Sequence, residues 1–341
     1  MNGNAARASR VLTVGSYRPE MLDSAEAAAK LGVTRDWIVS RTGVESLCVA
    51  GPEESVVAMA VAAARRTLSA ARMPAHAVDA VLVATITNPQ PCPAVAPQLA
   101  AALEIDAAAF DINIACAGFC SALQMARSLI AAGDCKTVLV IGAERMRDIV
   151  DTTDLATAPL FSDGAGAMLV TTTTGPSGIG PVVWGSEGGR ASALQVQPPV
   201  FGSPQPESAS PALRLDGGAV ARWAFTTIPN VVREILTRTG LEWDDVAAFV
   251  PHQANWNMIR RIARLLEIPE KVVIADDIQE AGNTSSASIP LALHRLIGTG
   301  RARPGQWAVL IGFGAGLAYA GQAILIPEKP APTSTSPTGP D

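Results

Sequence analysis

LIAAGDCKTVLVIGAE (129–144) and LIGTGRARPGQWAVLIGFG (296–314) are the two stretches whose comparison decides the fold. Each runs from a helix end through a glycine and a short polar loop into an apolar strand that closes in Ile-Gly. From Leu129 to Leu296 the offset is 167 positions. Working outward, Asp79 of DAVLVATI and Asp245 of DVAAFVPH stand 166 apart, and DGAGAMLV (163–170) is matched by FGAGLAYAGQAIL (313–325). Alanine-rich helices and valine-rich strands resemble one another by chance, but three matches in one order, two of them at nearly one offset, read as a duplication. The expectation is an α/β protein of two halves sharing one fold, residues 11–175 and 215–327. Residues 1–10 read as a flexible N-terminus and the Pro/Ser/Thr-rich 328–341 as a disordered tail. Residues 176–214, which hold most of QPPVFGSPQPESASPALRLDGG, read as a connecting loop or flap.

Composition narrows the function. A net charge of −5 and a pI near 5.3 argue against nucleic acid as the partner, since phosphate binding needs a basic face. No apolar run suggests a membrane span, and MNGNAARASR has no apolar signal core behind it. The five cysteines are odd in number and irregularly spaced, which fits a reducing cytoplasm better than a disulfide framework. No Cys/His spacing points to a metal.

Three places carry candidate chemistry. In FDINIACAGFCSAL (110–123), Cys116 sits where a β-like run gives way to a helix of small residues. A helix N-terminus lowers a thiol pKa through its unpaired N–H groups, so this cysteine reads as a nucleophile, and equally as a buried inert thiol. His252 follows the strand DVAAFV at its C-terminal end, where α/β folds present reactive groups, although a structural histidine fits there too. Asn283, in AGNTSSASIPLAL, reads first as a helix N-cap. The 167-residue offset carries Cys116 onto Asn283, so the two are expected to open equivalent helices that meet about a pseudo-twofold axis. GFGAG (312–316) lacks the following helix of a nucleotide site and reads as a tight turn or an oxyanion-binding one.

CAGF, VPHQAN, AGNTSSAS and FGAG, in this order and spacing, resemble β-ketoacyl-acyl-carrier-protein synthase III, the initiating condensing enzyme of the thiolase-fold superfamily. DWIVSRTGV (36–44) and FSDGAGAMLV (161–170) also look like family segments. The resemblance implies a five-layered α-β-α-β-α fold of two duplicated halves and a homodimer. It implies a catalytic triad of Cys116, His252 and Asn283, with the backbone N–H groups of Cys116 and Ala315 as oxyanion hole. Trp37, Arg41, Cys92, Phe161, Asn255 and Gly314 would bind substrate. Arg222, Arg260, Arg261 and Arg264 would dock an acidic carrier protein, although these arginines also read as an ordinary solvated face. An acyl group would pass from a coenzyme A or carrier thioester to Cys116. Decarboxylative condensation with a malonyl-carrier thioester would follow, with no metal or redox cofactor. Acyl transfer to a hydroxyl or amine on the same fold is the alternative.

Three departures from the family pattern stand out. Leu155 occupies the place of an arginine that clasps adenine beside Trp37, Ala315 replaces a glycine, and Cys92 replaces a phenylalanine at the dimer-facing rim of the acyl pocket.

Overall fold

The computed structural model describes residues 7–201 and 210–327. In chain order the strands are β1 (Ala8–Tyr17), β2 (Glu20–Asp23), β3 (Ser46–Val49), β4 (Ala80–Ala84), β5 (Ala108–Ile112), β6 (Thr137–Arg145), β7 (Asp163–Thr173), β8 (Val183–Ser186), β9 (Leu194–Gln197), β10 (Ala212–Leu215), β11 (Val246–Pro251), β12 (Val273–Ile274), β13 (Trp307–Gly314) and β14 (Ala318–Leu325). The helices are α1 (Ser24–Leu31), α2 (Arg35–Thr42), α3 (Val56–Ala71), α4 (Val95–Ala102), α5 (Gly118–Ala132), α6 (Gly217–Thr239), α7 (Trp256–Leu265), α8 (Ile278–Ala281) and α9 (Ser288–Gly298).

Two five-stranded sheets have the orders β1-β7-β6-β4-β5 and β8-β14-β13-β11-β12. In each, three neighbouring strands run parallel and the next two alternate in direction. One order maps onto the other strand for strand, which is the duplication seen in the sequence.

The side-chain alternation along the strands builds the layers. On β6, Val138 and Val140 face a central layer shared with α5 and α9, while Leu139 and Ile141 face α3 and α4. On β13, Ala308 and Leu310 face that same central layer, and Val309 and Ile311 face α6 and α7. Strands buried on both faces read as continuous apolar runs, as VLVIG and AVLIG do. The result is the five-layered thiolase-like α-β-α-β-α sandwich.

Several expectations change. Residues 8–10, placed in the flexible N-terminus, open β1, and residues 1–6 and 328–341 lie outside the described residues. The connecting stretch 176–214 supplies β8, an edge strand of the second sheet, and much of a hairpin. That hairpin pairs β9 with β10, and its tip, 202–209, is outside the described residues. The Gly-Ala-Gly of residues 164–166 lies inside β7 rather than in a turn, so its likeness to the one at 314–316 is fortuitous. Ala115–Ala132 is apolar enough over 18 residues to cross a bilayer, against the reading that no run is. With 67% of it buried, in the layer between the two sheets, it is a core helix.

Candidate active site

Helices α5 and α9 each begin with one 3₁₀ turn, Ala115–Ala117 and Ser285–Ala287. The first residue of each turn is left-handed, with φ of 45° at Ala115 and 48° at Ser285, a strained setting for a residue with a Cβ. The same bend in both halves shows which residues correspond: Cys116 matches Ser286, not Asn283. The helix ends match at an offset of 167, but α9 is three residues shorter than α5 between its start and the matched leucine (Ser288 to Leu296 against Gly118 to Leu129). Three extra residues in the following loop restore the register.

The two helix starts are held by glycines from the opposite half. A Cβ on Gly312 of β13 would lie 2.6 Å from the Cys116 carbonyl oxygen, and one on Gly142 of β6 would lie 2.4 Å from that of Ser286. This is why both apolar strands close in Ile-Gly. Gly314 does the same for the thiol itself, since a Cβ there would sit 2.9 Å from Cys116 Sγ.

Asn283 reaches the site by another route. Its N–H donates to the Leu160 carbonyl at 2.8 Å and its carbonyl accepts from Ser162 N at 2.9 Å, a strand-like bridge beside Phe161. Its Oδ1 accepts from Ser285 N at 2.9 Å and its Nδ2 donates to the Ala254 carbonyl at 3.3 Å. The amide is therefore oriented, with one Nδ2 hydrogen left over.

His252 is buried at the end of β11, its N–H bonded to the Ile311 carbonyl. Nδ1 lies 2.8 Å from Ser288 Oγ, and the ring meets Phe313 edge-on at 5.7 Å. Burial, the largest cause, lowers its pKa to about 3, opposed only by the Ser285 backbone, so the imidazole is neutral. Cys116 is 5% exposed. Burial pushes its thiol up to about 12, and the Glu144 charge adds to this. A hydrogen bond with Ser285 and the backbone N–H groups of Cys116 and Ala315 act in the opposite direction. The helix start thus favours the thiolate, as the sequence suggested, but desolvation outweighs it.

These three side chains line one cavity of about 430 Å³. Of the expected substrate residues, Phe161, Asn255 and Gly314 line it too; so does Arg261, whose guanidinium stacks 4.2 Å over Phe225. Trp37, Arg41 and Cys92 do not. Trp37 and Arg41 stack on each other at 4.2 Å on α2, which Asn255 and Asn257 tie to α7 through the Ser40 and Arg41 carbonyls. Cys92 is exposed, and Leu155 is 43% exposed. Arg260 and Arg264 share a groove on the far side of α7, and Arg222 is exposed on α6. Ala315 is not among the residues with positive φ, so the alanine is unstrained there. Gln253, the neighbour of His252 in VPHQAN, is a buried brace bonded to Pro251 and Ile278.

Two parts of the site had escaped the sequence reading. The hairpin and α6 supply Leu194, Leu215, Val220 and Phe225 as the apolar wall. Glu144, at the end of VLVIGAE, is fully buried and bonded to Thr85, Ile86, Thr87, Ser285 and Ser286. A charged residue inside an otherwise apolar strand was the signal.

Comparison with known proteins identifies the family of the chain. Residues 110–188 match the family model "3-Oxoacyl-[acyl-carrier-protein (ACP)] synthase III", and 236–326 match its C-terminal counterpart. β-Ketoacyl-[acyl-carrier-protein] synthase III 1 of Streptomyces coelicolor is 42% identical over 93% of this chain and 96% of its own. The chain belongs to the 3-oxoacyl-[acyl-carrier-protein] synthase III family. The mycobacterial synthase III of Mycobacterium marinum is 40% identical, over 94% of this chain and 96% of its own. Among solved structures, the priming β-ketosynthase of the R1128 polyketide pathway superposes with a TM-score of 0.92 at 42% identity, covering 97% and 99% of the two chains. Synthase III of Pseudomonas aeruginosa gives 0.87 at 37%, covering 96% and 100%. Like the rest of the family, the chain is an acyltransferase of the initiating, condensing type, and transfer to a hydroxyl or amine is not favoured.

Proposed function

We propose that Cys116 takes an acyl group from an acyl-coenzyme A or acyl-carrier thioester and passes it to the carbanion of a malonyl-carrier thioester. The observation that carries this is the convergence of Cys116, His252 and the oriented Asn283 on one cavity. Acylation replaces the Cys116 S–H bond by an S–C bond and releases the donor thiol. Loss of CO₂ from the malonyl group leaves an enolate. The neutral His252, through Nε2, and the free Nδ2 hydrogen of Asn283 stabilise its oxygen. The enolate carbon attacks acyl-Cys116, and the N–H groups of Cys116 and Ala315 hold the resulting oxyanion. The 3-ketoacyl thioester leaves, and the expelled Cys116 thiolate takes a proton from solvent to restore the thiol.

The far-side arginines, Arg260 and Arg264 with Arg222, suit the acidic surface of a carrier protein. Trp37 and Arg41 suit the nucleotide end of coenzyme A. With Leu155 exposed where an arginine would clasp adenine, a carrier-bound donor fits at least as well. The unpaired edge strand β5, with Phe110 36% exposed, suits pairing with a second copy. In such a homodimer Cys92 would reach the partner's acyl pocket. Five unpaired thiols suit a reducing cytoplasm.

Intact-mass measurement after exposure to a panel of acyl-coenzyme A and acyl-carrier donors tests the core of the proposal. One acyl mass per chain is expected, and none on Cys116→Ala. Acyl uptake by that variant would refute the assignment.

A further inference from the structure

The only side-chain partner of Cys116 Sγ among the described residues is Ser285 Oγ, at 3.6 Å, within the reach of a sulfur hydrogen bond. The Ser285 hydroxyl in turn donates to Glu144 Oε1 at 3.1 Å. A thiol hydrogen, a hydroxyl and a carboxylate therefore stand in one row, each able to donate to the next.

The surroundings of Glu144 are built to take a proton. Oε2 is held by Thr87 Oγ1 at 2.7 Å, Thr85 Oγ1 at 3.1 Å and Ile86 N at 3.1 Å. Oε1 faces Ser285 and Ser286. Ser286 Oγ lies 2.9 Å from Oε1 and 2.7 Å from the Ala84 carbonyl, but a hydroxyl has one hydrogen and cannot satisfy both acceptors. While Glu144 is ionised, one of the two goes without. Once Oε1 carries a proton, Oε1–H donates to Ser286 and Ser286 donates to Ala84, so every contact has its hydrogen.

We propose that Glu144 is a positioning and proton-accepting residue that draws the Cys116 proton through Ser285 during acylation. The inference rests on Cys116 being the acylated thiol. As the sulfur attacks the thioester carbon, its proton moves to Ser285 Oγ and the former Ser285 hydrogen moves to Glu144 Oε1. The S–C bond forms and the donor's C–S bond breaks. The proton returns through Ser285 to the departing thiolate, which leaves as a thiol. Glu144 never touches substrate. His252 is poorly suited to this step because burial disfavours its charged form, whereas burial raises the Glu144 pKa and so makes it a better base. The ionisable side chains facing the thiol are Glu144 from β6 and His252 from β11, and α5 adds Cys120 one turn on. Strands β4 and β13 and the turn Ser285–Ala287 carry none.

The test is the rate of acyl-Cys116 formation by rapid-quench mass spectrometry, from pH 7 to 9.5, in the wild type and in Glu144→Gln, an isostere unable to accept the proton. At pH 7.5 the variant should acylate about 10²–10³-fold more slowly. Its rate should climb about tenfold per pH unit, because it must use thiol ionised by solvent, and the thiol pKa of about 12 lies above the whole range. The wild-type profile should be flatter. A parallel loss at every pH would mean that Glu144 only supports the packing, and an unchanged rate would mean it has no part; either overturns the proposal. Should Glu144→Gln not fold, Ser285→Ala is read by the same profile, since it removes the relay oxygen and leaves Glu144 its other donors. A wild type with no acyl mass on Cys116 would instead overturn the functional reading beneath it.

Discussion

The two halves put the same backbone to opposite uses. At an offset of 170, Cys116 answers to Ser286, Gly312 to Gly142 and Gly314 to Glu144. In one half a bare glycine faces the helix start, leaving the thiol beside an open cavity. In the other a carboxylate fills that space and bonds to the serine that stands in the cysteine's place. Duplication built the frame, and side-chain size at one strand position decides which helix start faces the cavity. The filled position is connected to the open one through Ser285, so the second half supports the chemistry of the first.

The largest expected effect bears on Asn283, which breaks the symmetry because it has no role set by the duplicated helix starts. Asn283→Ala should still form acyl-Cys116 but lose about 10²–10³-fold in ketoacyl product, read by comparing acyl mass with condensation rate. Equal loss in both half-reactions would assign it to packing alone.

Next come the paired glycines. Gly142→Ala and Gly312→Ala each press a Cβ into the backbone of the opposite helix start, and each should lower stability by roughly 1–3 kcal/mol in urea unfolding. Gly312→Ala should slow acylation more than Gly142→Ala, because it displaces Cys116 itself whereas Gly142→Ala shifts only the Ser285–Ala287 turn. If both variants slow acylation equally, the halves are mechanically coupled more tightly than the contacts indicate.

Protonation of His252 comes next. Its folded pKa of about 3 lies below the unfolded value of 6.5, so below pH 6.5 the unfolded chain binds a proton the folded one refuses. No cost arises above pH 6.5, and stability should fall by up to about 1.4 kcal/mol per pH unit between about 6 and 4. His252→Gln should flatten that part of the unfolding profile, and an unchanged profile would remove the assignment.

The smallest effect concerns Cys92, which no symmetry argument places. Cys92→Phe should shift kcat/KM toward short acyl donors, by about 0.8 kcal/mol for each methylene that loses its apolar contact. Identical profiles for acetyl, butyryl and octanoyl donors would show that the residue does not reach a partner's pocket.

Much of this was legible in the chain. VLVIG and AVLIG announced buried strands, and CAGF, VPHQAN, AGNTSSAS and FGAG announced the cavity, because each side chain there sits at a local strand or helix end. Asn283 lies in the cavity with Cys116, but not as its counterpart in the second half. A shorter helix and a longer loop compensate each other, and a constant offset cannot register a length change that cancels. The hairpin was invisible because β9 and β10 owe their pairing to the cavity edge they cover.

The sequence by itself determined the alternation of elements, the duplication and which three polar side chains meet in the cavity, since these follow from local periodicity and short motifs. Only the tertiary structure decided that the thiol is desolvated to a pKa of about 12, that the imidazole is neutral, and that Glu144 stands two hydrogen bonds from Cys116. Burial and hydrogen-bond partnership depend on what the other half of the fold brings within a few ångströms. For Cys116 and Glu144 the residue that joins them, Ser285, lies well over a hundred positions away along the chain.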